Sequence, residues 1–227
     1  MSLKVNRTVR RVVKWALVAL LVFVVACLAL VAYNEYNMSK NRPARKSLIQ
    51  NQNSEDQRVV DETTPSDDQV AEYQVAPSKP RYLSIPSLGI KNARVREVGV
   101  QSDGRLGTPV NIFDTAWYNK SSLPGGGGAV LIDGHNGGPT LDGVFKHLDS
   151  LAEGSTITLE RGDGALFNYR VVEKKVMNVA ETDAYMAAML TSAEAGKEGL
   201  NLITCTGNWI RSDQTYDKRV TIRAVLE

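Results

Sequence analysis

The feature that most constrains the fold is a series of short segments rich in apolar residues, beginning near Arg81, several of which alternate apolar with polar residues. Alternation with a period of two is typical of β-strands that bury one face. Turn residues separate the segments, among them Pro124 and the four glycines that follow it. Seven segments are clear. Residues 82–85, 93–98 and 155–160 alternate, and residues 129–132 form a continuous apolar run typical of a central strand. The other three segments are the long segment 167–177 and the apolar segments 200–204 and 220–226.

This pattern predicts an all-β domain of seven or eight strands over residues 79–227, either a small barrel or a sandwich. Only residues 181–189 favour a short helix. About 150 residues are enough for an independently folding domain. The glycines at 125–128 precede a strand, whereas a phosphate-binding loop would open a helix through Gly-Lys-Ser/Thr, so these glycines predict a turn.

A second constraint lies near the N-terminus, where the 19 residues from Trp15 to Tyr33 carry no charge. As a helix they would extend about 28 Å, close to the ~30 Å of a bilayer core. A cleaved signal peptide and a lipoprotein box ending at Cys27 are the alternatives, but the apolar region is long for the first and continues past Cys27 for the second. We expect an uncleaved membrane anchor.

Five Lys or Arg residues precede this span and four follow within 15 residues, which favours a cytoplasmic N-terminus at residues 1–14. Residues 34–78 are polar and poor in large apolar side chains, so they predict a flexible extracytoplasmic linker, with a helical stalk as the alternative. Residues 79–227 contain 17 basic and 17 acidic residues. A neutral domain without a basic face does not fit a nucleic-acid partner.

The chain has two cysteines, and Cys27 lies in the apolar span, so Cys205 at the end of strand 200–204 has no evident disulfide partner. Of the two histidines, His135 follows strand 129–132 between glycines, whereas His147 fits a surface position in a helical turn. With so few histidines and cysteines, we expect neither a metal site nor a cofactor.

A cysteine nucleophile needs a nearby base and a hydrogen-bond donor for the developing oxyanion. His135 could be the base, and Arg219 could be the donor if a loop from Thr206 to Lys218 brings it beside Cys205. Arg211 and Arg223 are competing arginines. From these residues alone, Cys205 could equally be a buried thiol without chemistry.

The combination of motifs resembles the sortase family over residues 81–227. The family's Leu-x-Thr-Cys motif is found as Leu202-Ile203-Thr204-Cys205, its Gly-His as Gly134-His135, and its arginine opens the last strand as Arg219. The order and the separations of 70 and 14 residues also fit. Asn201 stands where the family often has Thr. The resemblance implies a closed eight-stranded β-barrel with cysteine transpeptidase activity.

In that family's chemistry, Cys205 would attack a Leu-Pro-x-Thr-Gly-like sorting signal on a secreted protein and form a thioacyl-enzyme. His135 would be the general acid and then the general base, and Arg219 would stabilise the oxyanion and the peptide. The resemblance implies that Thr204 supports the substrate or oxyanion and that Trp209 lines the groove; Trp209 as a loop anchor is the alternative. The acceptor would be an amine of a cell-wall precursor or a pilin lysine.

Residues 114–118, together with Leu123, Pro124 and Gly125, look more like the monomeric class D to F sortases than class A or B. Two other functions remain open. One is an L,D-transpeptidase-like acyltransferase acting on peptidoglycan, although the chain lacks its Ser/His-Gly-x-x-Cys context. The other is a non-catalytic anchored adhesion or scaffold barrel. We expect a single-pass protein of the cell membrane with an extracellular catalytic domain.

Overall fold

Eight strands, two α-helices and two short 3-10 helices make up the part of the chain that the computed structural model describes, residues 60–102 and 104–227. The strands are β1 (Pro80–Ile85), β2 (Ile90–Val98), β3 (Thr115–Tyr118), β4 (Ala129–Gly134), β5 (Thr156–Arg161), β6 (Leu166–Asn178), β7 (Gly199–Ile210) and β8 (Thr215–Leu226). The α-helices are α1 (Asp67–Ala71) and α2 (Val179–Met189), and the 3-10 helices are Pro86–Leu88 and Leu148–Ser150.

The strands form one closed barrel in the order β1-β2-β3-β4-β7-β8-β6-β5, and β5 pairs back onto β1. Two pairs are parallel, β2 with β3 and β4 with β7, and the other pairs are antiparallel. The all-β, eight-stranded prediction is therefore confirmed, and closure decides between barrel and sandwich. Closure also leaves no unpaired sheet edge.

The strand alternation places apolar side chains on both sides of the sheet where β4 and β7 run together. Leu200 and Leu202 of β7 belong to the large cluster of buried residues that fills the barrel. Ile203 instead belongs to a smaller cluster with Leu131 of β4 and Met189 of α2. This smaller cluster lies on the outer face because successive residues of a strand point to opposite sides.

The loop predicted from Thr206 to Lys218 is wrong, because β7 and β8 continue through it as a hairpin. The pairing runs from Thr206 with Lys218 to Ile210 with Thr215, and residues 211–214 connect the strands. The hairpin is held by polar contacts. The backbone N–H of Asn208 donates to Asp217 Oδ1 at 2.8 Å, and this bond lowers the pKa of Asp217. Such contacts produce no apolar alternation, so the pattern missed these strand ends.

The predicted boundary at residue 79 also needs correction, because the described residues before it are folded onto the barrel. Ser66 and Gln69 form a reciprocal capping box at the start of α1. The Tyr73 hydroxyl donates to the Val95 carbonyl at 2.5 Å, and the Arg96 guanidinium lies 4.4 Å from the Tyr73 ring centroid. The folded domain therefore includes the described residues from Asp61 onward. Its N-terminal part bonds mainly to backbone groups, which a hydropathy pattern does not reveal.

The predicted anchor from Trp15 to Tyr33 and the linker up to residue 59 lie outside the described residues. Within residues 60–102 and 104–227, no helix is long and apolar enough to cross a bilayer.

Candidate active site

The parallel register of β4 and β7 brings His135 and Cys205 to the same place on the barrel. Asp133 pairs with Ile203, and the Thr204 hydroxyl donates to the Gly134 carbonyl at 2.7 Å. His135 and Cys205 are the next residues after Gly134 and Thr204. Extending the register by two residues therefore places them side by side, on the outer face that Ile203 shares.

The third predicted residue, Arg219, lies directly across from Cys205 in the antiparallel register of β7 and β8. Directly opposite residues of such a pair project from the same face, with Cβ atoms about 4.5–5.5 Å apart. The nucleophile, base and arginine predicted from the sequence thus come from three successive positions across the sheet, the end of β4, β7 and β8.

The two competing arginines lie elsewhere on the hairpin. Arg223 pairs with Asn201, four residues along from Cys205, and its guanidinium donates to the Thr191 carbonyl at 3.2 Å. Arg211 is exposed in the turn between β7 and β8. Neither arginine faces Cys205 across the strand pair.

The hairpin that the sequence pattern missed also holds the Arg219 guanidinium. Nη1 donates to the backbone carbonyls of Tyr216 (2.8 Å) and Lys218 (2.9 Å), and Nη2 donates to the Thr215 hydroxyl (3.0 Å). A guanidinium has five N–H donors. These three bonds orient the group along β8 and leave Nε–H and one Nη2–H for an oxygen of a ligand.

The His135 imidazole is oriented by the loop between β2 and β3. Its Nε2 lies 2.7 Å from the Pro109 carbonyl oxygen. A carbonyl can only accept, so the hydrogen is on Nε2, and Nδ1 is the second nitrogen for proton exchange. The other histidine, His147, is exposed in the turn before the 3-10 helix Leu148–Ser150, as its sequence context predicted.

Cys205 is half-buried and, within the described part of the chain, forms no disulfide. Its neighbour Thr204 is only 2% exposed. Because the single hydroxyl hydrogen of Thr204 is donated to Gly134, the structure gives this side chain a positioning role between β4 and β7. Support of the substrate or the oxyanion by Thr204 stays a prediction.

Trp209 is 53% exposed and lies on β7, beyond Cys205 toward the hairpin turn. Its ring packs edge-on against Tyr216 of β8, with centroids 5.3 Å apart. Trp209 is therefore part of a strand pair and not a loop residue packed on the barrel. Its contact with substrate stays a prediction.

The outer apolar cluster is a part of the site that the sequence analysis did not identify. Leu131, Ile203 and Met189 form its buried centre, and four partly buried side chains pack against it: Leu106, Tyr118, Tyr185 and Met186. Ile203 is two residues from Cys205 on the same face. The signal was present in the continuous apolar run at 129–132, which includes Leu131 and indicates a strand covered on both sides.

The chain also resembles a known protein family. The model of the sortase domain matches residues 83–227, more than half of the chain. The chain belongs to the sortase family. This sortase is accordingly a cysteine transpeptidase, and Cys205 is its one cysteine outside the apolar N-terminal span. The family assignment decides against the L,D-transpeptidase and scaffold alternatives that the residues alone left open.

The chain is also similar to solved structures of sortases. Sortase C from Clostridium perfringens SM101 is 22% identical, over 67% of this chain and 72% of that chain, with a TM-score of 0.47. Sortase C from Streptococcus pneumoniae is 20% identical, over 73% and 75%, with a TM-score of 0.49. The pilus-related sortase C of Group B Streptococcus is 18% identical, over 75% and 79%, with a TM-score of 0.50. None of the curated proteins matches.

Proposed function

We propose that this sortase cleaves a Leu-Pro-x-Thr-Gly-like sorting signal on a secreted protein and transfers that protein to an amine of a cell-wall precursor. The observation that carries the proposal is the pairing of Cys205 with Arg219 in the β7–β8 register. The Thr204–Gly134 bond supports it, because that bond sets His135 beside the same position.

In the first half-reaction, the Cys205 thiolate attacks the carbonyl carbon of the signal's Thr. The developing oxyanion accepts hydrogen bonds from Nε–H and the remaining Nη2–H of Arg219. The imidazolium of His135 protonates the leaving amine of the Gly, and the C–N bond breaks. The products are a Cys205 thioester of the secreted protein and the released C-terminal peptide.

In the second half-reaction, the acceptor amine attacks the thioester carbonyl. The neutral imidazole of His135 takes the proton from this amine, the C–S bond breaks, and Cys205 leaves as the thiolate. A new amide bond replaces the one that was cut, so no metal or redox partner is needed to balance the reaction. Water in place of the amine would give hydrolysis.

The outer apolar cluster supports an apolar peptide as substrate. Tyr118 and Met186 are only partly buried in this cluster, and burial of a Leu side chain against them would contribute about 1.5–3 kcal/mol. The balance of 17 basic and 17 acidic residues over 79–227 is also suited to a peptide with little net charge.

We further propose a single-pass location in the cell membrane, with residues 1–14 in the cytoplasm and the barrel outside. The support is the uncharged span from Trp15 to Tyr33 and the excess of basic residues before it. This topology would hold the site near proteins as they emerge from the membrane. The motif around Trp117 and Pro124 favours a class D to F enzyme within this proposal.

The test uses the full chain in detergent micelles with a panel of quenched sorting peptides. We expect cleavage between Thr and Gly, a peptide adduct on Cys205 detectable by mass spectrometry, and ligation when an amine acceptor is added. The Cys205→Ala variant should do none of these. Absence of both cleavage and adduct across the panel would contradict the proposed substrate class.

A further inference from the structure

Residues 61–63, at the N-terminal entrance to the described domain, contact the loop that supplies the acceptor of the His135 imidazole and the loop that follows His135. We call these residues the N-terminal clamp. One loop is the β2–β3 connection, which contains Pro109, and the other is the segment that leads from His135 to Phe145. The transpeptidase chemistry described above involves no residue of the clamp.

Asp61 joins the clamp to the β2–β3 connection. Its backbone N–H donates to the Val110 carbonyl at 2.9 Å, and its own carbonyl accepts from the Ile112 N–H at 3.0 Å. Its carboxylate accepts from Nδ2 of the buried Asn111 at 3.0 Å. Val110 follows Pro109, whose carbonyl binds His135 Nε2. Asp61 thus holds the backbone that supplies the imidazole's acceptor.

Glu62 joins the clamp to the segment after His135. Its carboxylate accepts three hydrogen bonds, from the backbone N–H of Thr140 (2.8 Å), that of Leu141 (2.8 Å) and the Thr140 hydroxyl (2.6 Å). A Cβ on Gly138 would lie 2.4 Å from Glu62 Oε1, so only glycine allows this approach. The Thr140 hydroxyl and the two N–H groups lower the pKa of Glu62, which keeps the carboxylate ionised.

The two loops are also tied to each other and to His135 itself. The Val144 N–H donates to the Ile112 carbonyl at 2.8 Å, and the Phe145 N–H donates to the His135 carbonyl at 2.9 Å. A shift of either loop would therefore move the imidazole relative to Cys205. Charge-assisted bonds to a carboxylate are roughly twice as strong as bonds between neutral groups, so Glu62 is a strong restraint on that shift.

We propose that Asp61 and Glu62 are positioning residues for His135. They hold the Pro109 carbonyl and the loop after His135 in place, and so fix the orientation of the imidazole and keep its hydrogen on Nε2. This proposal rests on the proposed role of His135 as acid and base. Under this proposal, Asp61 and Glu62 influence catalysis through the position of His135 and not through contact with the substrate.

The test compares Glu62→Ala and Glu62→Gln with the control Glu72→Gln, which changes an exposed carboxylate of the same segment. All are made in the full chain. The first readout is the nitrogen NMR spectrum of the imidazoles at a pH where they are neutral. The chain has two histidines, so His147 is an internal reference. We expect His135 in the Nε2–H form in the wild type and a mixture of tautomers in Glu62→Ala.

The second readout is the cleavage kinetics of the best sorting peptide. We expect kcat to fall ~10- to 100-fold in Glu62→Ala with KM within ~2-fold, since displacement of a catalytic group impairs the chemical step more than binding. Glu62→Gln keeps an acceptor oxygen and should recover part of the loss. Glu72→Gln should match the wild type.

An unchanged His135 tautomer and kcat in Glu62→Ala would overturn the proposal, as would an equal loss in Glu72→Gln or an effect confined to KM. If Glu62→Ala does not fold, the same comparisons apply to Glu62→Gln. If the wild type cleaves no peptide, the substrate proposal fails, but the tautomer measurement still decides whether the clamp positions His135.

Discussion

The three arginines of the β7–β8 hairpin differ in what their guanidinium groups contact. Arg219 faces Cys205 and is held by carbonyls of its own strand, whereas Arg223 bonds to the Thr191 carbonyl near the end of α2 and Arg211 is exposed in the turn. These contacts make Arg211 and Arg223 matched internal controls for the role of Arg219, because all three carry the same charge in one hairpin.

We expect Arg219→Ala to lower kcat/KM by ~10²- to 10³-fold, the usual cost of losing an oxyanion donor. Arg211→Ala should stay within ~3-fold of the wild type, because an exposed turn charge contributes little. The measurement is peptide cleavage at saturating and limiting substrate. Equal losses in Arg211→Ala or Arg223→Ala would show that the arginine of the site is misassigned.

At the scale of elements, the backbone conformation of the β7–β8 hairpin determines where the Arg219 guanidinium lies. Gly207 has φ +86°, and a Cβ there would lie 2.1 Å from Asp217 Oδ1. The same carboxylate accepts the Asn208 N–H, so Gly207 allows the two strands to bond where the register shifts. The carbonyls that hold Arg219 belong to residues 216 and 218, on either side of Asp217.

Gly207→Ala should therefore lower stability and activity together. Gly164→Ala is the matched control, since Gly164 has the same φ of +86° but a Cβ added there would meet no atom within 4 Å. The left-handed conformation should cost each variant about 1–2 kcal/mol in the free energy of unfolding. Only Gly207→Ala should also lose ~10-fold in kcat/KM, through displacement of Arg219. Equal activities in the two variants would contradict this account of the hairpin.

At the scale of the whole molecule, the described domain depends on ionised carboxylates around the barrel. Hydrogen bonds or ion pairs lower the pKa of Asp61, Glu62, Glu97 and Asp217. The side-chain bonds from Arg161 lower the pKa of Asp163 to about 2. Each of these carboxylates binds a proton less readily in the folded chain than in the unfolded one, so acid shifts the balance toward unfolding.

We expect the free energy of unfolding to be steady from neutral pH to about 5 and to fall as pH drops toward 2. The contribution of Asp163 is complete above its ordinary pKa of ~3.9 and is lost as pH passes through about 2. Urea unfolding of the wild type and Asp163→Asn should differ at pH 7 and converge near pH 2. Because the Arg161–Asp163 ion pair is on the surface, added salt should reduce the difference in free energy of unfolding between the two proteins. If the free energies of unfolding of the wild type and Asp163→Asn still differed at pH 2, the lowered pKa of Asp163 would not be the cause of the difference.

Local sequence patterns were sufficient to predict most of the strands and to select Cys205, His135 and Arg219 as candidate reactive residues. Alternation and short apolar runs located the seven segments, and the Gly134-His135, Leu202-to-Cys205 and Arg219 motifs carried the resemblance to sortases. The ends of β7 and β8 escaped detection because the extension of the hairpin is held by polar contacts such as Asn208 with Asp217. The outer apolar cluster escaped because its members come from distant parts of the chain.

The sequence by itself determined an all-β domain with one available thiol and the residue types for acyl transfer, because strand alternation and short motifs are local. Only the tertiary structure decided that the barrel closes. It also decided which groups Thr204 and the N-terminal clamp contact. Glu62 and Thr140 are 78 positions apart, and their bonds join a side chain to a backbone amide and a hydroxyl. Such contacts leave no periodic trace in a sequence, since any exposed glutamate would look the same.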